Sequence, residues 1–130
     1  MNAPSQDIAT LLEASDIGLT LASDLFISRE PASPDNCVTL YDTPGSPPVV
    51  FMNKNEKYFY PSIQVRIRNN DYRQGYTLGK QIVTKLHGEG QAEINGTYYS
   101  LMAAQSEPFL LEYDKNNRAI FIINFNLQRR

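Results

Sequence analysis

Tyr60-Pro61-Ser62-Ile63-Gln64-Val65-Arg66-Ile67-Arg68-Asn69-Asn70-Asp71 is the stretch from which the fold is read. Ile63, Val65 and Ile67 alternate with Gln64, Arg66 and Arg68, which describes a strand with one face in a core and one face wet. Asp71 stands where a helix N-cap belongs, and Gln74, three residues on, occupies the partner position of a capping box. From Tyr72 the period lengthens: Tyr72, Tyr76, Gly79, Val83 and Leu86 recur at spacings of three and four, the stripe of an amphipathic helix. His87 and Gly88 close it, with glycine where the backbone can turn left-handed. The organising unit is thus a strand that turns directly into a helix folded back over it.

Upstream, Ser5 is placed to cap a first helix with Ile8, Leu11 and Leu12 as its apolar stripe, ending near Ser15 before Asp16-Ile17-Gly18. Leu19–Leu21 and Leu25–Ser28 read as short extended pieces, Arg29–Asn36 as a proline-bearing loop, and Cys37–Tyr41 as a strand. Downstream, Gln91–Met102 is a hairpin about Asn95-Gly96, the pair best suited to a type I′ turn. Asn95-Gly96-Thr97 also matches a glycosylation acceptor, but the turn accounts for it fully. Phe109–Tyr113 and Ala119–Leu127 form a second hairpin about Asp114–Arg118. Its last strand carries Phe121, Ile123, Phe125 and Leu127 on one face and Ile120 and Ile122 on the other, as a central strand would. The fold class is α+β: a mainly antiparallel or mixed sheet of five or six strands with two helices packed on it.

Residues 42–57 interrupt this regularity. Pro44, Gly45, Pro47 and Pro48 argue against regular structure in the first half. Val49, Val50, Phe51 and Met52 then follow as four apolar residues in a polar surrounding. They are either a flap tucked onto the chain's own core or an arm that docks on another chain.

At 130 residues the chain is expected to be one domain spanning 1–130. Its net charge of -2 disfavours a dedicated nucleic-acid binder. Cys37, the lone cysteine, can form no internal disulfide. No apolar run approaches the roughly 18 residues that a membrane-spanning helix needs, and no secretory leader pattern opens the chain. Synthesis in the cytoplasm, without a membrane partner, is the expectation.

Motifs that carry chemistry are sparse. His87 is the sole histidine and reads as a helix C-cap; Cys37 reads as a small core residue. No metal-ligand spacing stands out, and Gly79-Lys80 lacks both the first glycine and the Ser/Thr of a phosphate loop. Gly75 and Gly79, four apart on a helix, cost about 1 kcal/mol each against alanine, so they serve close approach to the sheet or to a neighbouring subunit. Arg66, Arg68 and Arg73 form the basic cluster: a solvated strand face, or else a contact surface for acidic groups of a partner.

Several pieces together resemble a known family. Tyr60-Pro61-x-Ile63-Gln64-Val65-x-Ile67-Arg68, with Asp71-Tyr72 opening a helix that ends Leu86-His87-Gly88, is similar to the tail terminator and minor capsid proteins of tailed bacteriophages. Leu40-Tyr41-Asp42-Thr43-Pro44-Gly45, the Asn95-Gly96-Thr97-Tyr98-Tyr99 hairpin and Asn117-Arg118 before Phe121-Ile122-Ile123-Asn124-Phe125 fit as well, so the resemblance runs from about Asp7 to Leu127. It implies a structural virion protein rather than an enzyme, with no cofactor or metal and no specific nucleic-acid recognition. The implied partners are further copies of itself in a ring, typically six, the tail tube protein, and a head–tail connector or neck protein. The implied location is the tail or neck of the virion, after synthesis in the bacterial host cytoplasm. A ring subunit needs two different complementary patches; the Val49–Met52 arm and the Arg66, Arg68 and Arg73 cluster are the candidates. The rival readings are a head-completion or neck adaptor protein and a small cytosolic ligand-binding domain, for which no residue constellation argues.

Overall fold

The computed structural model describes residues 1–48 and 58–130. In chain order the elements are α1 (Pro4–Ala14), β1 (Leu25–Ile27), β2 (Cys37–Ser46), β3 (Tyr60–Asn69), α2 (Tyr72–Leu86), β4 (Ala92–Ile94), β5 (Thr97–Ala104), β6 (Phe109–Tyr113) and β7 (Ala119–Arg129). The seven strands form one sheet in the order β1-β2-β3-β7-β5-β4, with β6 also on β7. All neighbouring strands are antiparallel except β1 and β2. The α+β reading holds; of the seven strands, β1 and β4 are only three residues long.

β3 and β7 pair from Ser62↔Asn126 to Asn69↔Ala119 and form the middle of the sheet. Ile63, Val65 and Ile67 of β3 and Phe121, Ile123, Phe125 and Leu127 of β7 lie on one face, all buried. Against that face pack Ile8 and Leu12 of α1 and Ile82 and Leu86 of α2, closing the core. The α2 stripe is rotated from the expected one: Gly75, Gly79, Ile82 and Leu86 are buried, whereas Tyr72 and Tyr76 stay partly exposed. Both glycines serve the sheet. A Cβ on Gly75 would lie 2.9 Å from the Phe121 ring, and one on Gly79 would lie 3.0 Å from Pro108 and 3.3 Å from Ile67. With no side chain to hold it off, the helix settles low enough for the Tyr72 and Tyr76 rings to rest on Phe121, at centroid distances of 5.2 and 6.2 Å.

Asp71 caps α2, but its carboxylate accepts from the Arg73 N–H at 2.9 Å, not from Gln74. His87 is the C-cap residue, and Gly88 follows at φ +81°. The β4–β5 turn has Asn95 and Gly96 at φ +51° and +81°, as a type I′ turn requires.

Three expectations fail for non-local reasons. Ser5 does not cap α1: Pro4 opens the helix, and the Ser5 N–H and hydroxyl both donate to the Asp42 carboxylate at 2.9 and 2.7 Å. The cap is therefore supplied by a strand 37 residues away. Residues 42–46, read as irregular, belong to β2, which passes Pro44 by a bulge between Thr43 and Ser46. Gly45 at φ +58° makes the bulge, and a Cβ there would collide with the Tyr60 carbonyl. Leu19–Leu21 is not a strand; only Leu21 bridges, to Leu25.

Candidate assembly surfaces

The second face of the sheet divides into a covered end and an open end. On the covered end lie Cys37, Thr39, Arg68 and Ile120, all buried. Residues 29–36 are held there by arginines. Arg68 donates to the carbonyls of Pro34 (2.7 Å) and Asp35 (3.2 Å), and Arg118 donates to the Ala32 carbonyl (2.8 Å) and the Asp35 carboxylate (3.2 Å). Glu30 completes the arrangement, 3.0 Å from Arg66 and 3.5 Å from Arg68. Asp114 steadies Arg118 through a 2.7 Å ion pair, and hydrogen bonds from the Arg118 backbone and side chain hold the Asp114 carboxyl below its usual range.

Arg66 and Arg68 are therefore not a solvated strand face. Arg68 is 4% exposed and its donors are used within the chain. Arg66 is about one-quarter exposed, ion-paired to Glu30 and 4.0 Å from Glu112. Arg73 is the second residue of α2 and is exposed. Of the three, two sit on the sheet and one on the helix. Val49, Val50, Phe51 and Met52 lie outside the described residues.

The open end is uncharged and rich in amides. Ser62 and Gln105 donate to Asn126, and Gln64 donates weakly to Asn124 at 3.4 Å. The groove beside it, about 510 Å³, is bounded by Pro44, Tyr60, Leu101 and Gln128.

A different surface, which periodicity did not reveal, is apolar. β6 forms the edge of the sheet beside the first half of β7, pairing Phe109↔Ile122, Leu110↔Phe121, Glu112↔Ile120 and Tyr113↔Ala119. Every β6 residue is exposed. Its sequence showed an ordinary hairpin strand; only the topology shows that its far edge has no strand beside it among the described residues.

Elsewhere the chain spends its polar groups on holding itself together. Asp7, fully buried, accepts from the Tyr99 hydroxyl (2.5 Å) and the Asn95 amide (3.0 Å), with the Arg129 guanidinium 3.7 Å away. Arg129 also donates to the Asn2 carbonyl at 2.8 Å, so α1, the β4–β5 hairpin and the end of β7 are tied at one point. His87 accepts from the Ala104 N–H through Nδ1 at 2.9 Å. Burial pushes the Cys37 thiol up, the direction opposite to that of an activated nucleophile. Among the described residues no group of His, Cys, Asp and Glu is placed to hold a metal ion, and no helix is long and apolar enough to cross a membrane.

Comparison with known proteins agrees with this framework-heavy picture. A chain from the virion of a native gene transfer agent particle superposes with a TM-score of 0.69 at 8% identity, over 98% of this chain and 94% of that one, so the two share a fold. No curated protein matches the sequence. The model of the family described as bacteriophage tail terminator protein matches residues 12–130, which take in the whole sheet, α2 and only the end of α1, and the chain belongs to that family of phage tail structural proteins.

Proposed function

We propose that the chain is the tail terminator of a tailed bacteriophage, that copies of it, typically six, close into a ring, and that the ring caps the tail tube and joins it to the head. The observation that carries this reading is the family match over residues 12–130. Physical features support it. Head-to-tail contacts close a ring only if a subunit carries two unlike patches. The residues after Pro48, with Val49-Val50-Phe51-Met52, supply one, and exposed groups elsewhere on the sheet and α2 supply the other. Arg73 and the exposed part of Arg66 meet acidic groups of the neighbouring subunit, the tube protein or the neck protein. Arg68 contributes indirectly, by fixing residues 29–36 beside Arg66. Each exposed ion pair is worth only about 0–1 kcal/mol, but repetition round a ring fixes orientation. The role is structural, without catalysis or cofactor.

Complementation tests the reading. Replacing Val49–Met52 by Gly and Ser should leave the fold intact and give tails of uncontrolled length, or tails that fail to join heads. Arg66→Glu with Arg73→Glu should weaken joining. Tails of normal length that carry the wild-type protein only on the head side would instead assign it as a head-completion or neck adaptor.

A further inference from the structure

We propose that the exposed edge of β6, together with Tyr72 and Tyr76 of α2, is the seat for the Val49–Met52 segment of a second copy of the chain. This rests on the ring reading and names the surface through which the ring closes. The seat is defined by its exposure and its backbone. Phe109, Leu110, Leu111 and Tyr113 are 42%, 36%, 48% and 52% exposed, and Tyr72 and Tyr76 are 49% and 38% exposed. Leu110 pairs with Phe121, the ring on which both tyrosines rest, so edge strand and helix form one continuous apolar surface. On the α2 side of the sheet Tyr72, Tyr76 and Tyr113 alone expose roughly 200–350 Å², at about 150–250 Å² for each full side chain, and Leu110 adds to them, which reaches the size of a functional patch on a monomer. Among the described residues no strand pairs with the outer side of β6, so its backbone groups there are open to an extended segment.

The occupant follows from chain length. The other natural cover, Val49–Met52, begins three residues beyond Ser46, and Ser46 pairs with Tyr60 at the far end of β3. β6 lies against Ala119–Ile122, at the opposite end of β7. Counting residues along β7 and strands across the sheet puts the nearest end of β6 about 25 Å from Ser46. Met52, six residues on, reaches at most about 20 Å. The apolar run cannot lie along its own β6. A second copy can place it there, and because the seat and Ser46, after which the segment leaves β2, lie at opposite ends of the sheet, the contact is head-to-tail and closes by rotation.

The test is cross-linking between two singly substituted full-length chains, Val50→Cys and Leu111→Cys, each also carrying Cys37→Ser. They are mixed under oxidising conditions on tails lacking their terminator, and the mass of the bound protein is measured in parallel. The expected result is a disulfide dimer that contains one chain of each kind and is absent when either variant is used alone. Dimers of the Leu111→Cys variant with itself would replace this contact by a two-fold β6–β6 pairing and overturn the proposal. Multimers on the tail without mixed dimers would overturn it while leaving the ring reading intact. Monomers on the tail would overturn both. A Leu111→Lys variant, at an exposed position, should fold normally and lose at least tenfold in association with its neighbours; unchanged association would count against the seat.

Discussion

Asp7→Ala removes the carboxylate on which three parts of the chain converge, and its effect can be worked from the structure. Asp7 is fully buried; Tyr99 and Asn95 donate to it, and Arg129 lies 3.7 Å away. Alanine leaves the Tyr99 hydroxyl without its acceptor and leaves Arg129, whose side chain is 11% exposed, without its nearest anion. Breaking a buried pair by removing one partner costs about 3–5 kcal/mol. Loss of a negative charge from the first turns of α1 adds at most about 1 kcal/mol. We expect a loss near 4 kcal/mol, against a total of roughly 6–20 kcal/mol for a chain of 130 residues. In a thermal melt that is a fall of roughly 12–20 °C. Urea unfolding of the wild type, Asp7→Ala and Asp7→Asn measures it. Asparagine keeps an acceptor for Tyr99 but not the charge, and should fall between the other two. A loss under about 1 kcal/mol for alanine, below even one buried hydrogen bond to a charged group, would refute the view that this cluster anchors α1.

Three further expectations follow from single observations. Gly75→Ala gains about 1 kcal/mol in helix propensity but drives a methyl against the Phe121 ring, which costs about 1–3 kcal/mol; a lowered melting temperature is expected, and a raised one would mean that the ring gives way. Burial, then the hydrogen bond to Asp7, raises the Tyr99 pKa above its ordinary value near 10. Its contribution is therefore fully present below pH 10 and is lost as pH climbs toward the raised folded value, so stability should fall more steeply above pH 10 in wild type than in Tyr99→Phe. Cys37→Ser and His87→Gln should leave tail completion intact; a normally folded variant that assembles yet yields non-infectious particles would reopen a chemical role for these side chains.

What could be read from the sequence was local. β3 and α2 announce themselves because alternation at 63–67 and the cap at Asp71 depend on neighbours in the chain. The Asn95-Gly96 turn is equally self-contained. Reading failed where the partner is remote. Asp42 caps α1 from another element, and Asp7 meets Tyr99 across 92 positions, so neither carboxylate carries a local signature. Pro44-Gly45 looks like the end of a strand, yet glycine at a positive φ lets β2 continue through a bulge. Arg68 alternates as a wet residue should, but residues 29–36 fold over it and supply the carbonyls that its guanidinium needs. The proposed assembly surface was legible only by half. The apolar run at 49–52 stands out in composition, whereas the exposure of β6 follows from its place at the edge of β7, which no pattern within Phe109–Tyr113 encodes.

The central claim, that the chain closes a ring on the tail tube, is tested most directly by the mass of what binds a tail end. Full-length protein added to purified tails lacking their terminator should remain bound as a closed set of about six subunits of 14.7 kDa each. At low concentration without tails it should sediment as the monomer. One or two copies per tail, or a growing chain of copies with no fixed end point, would contradict the ring.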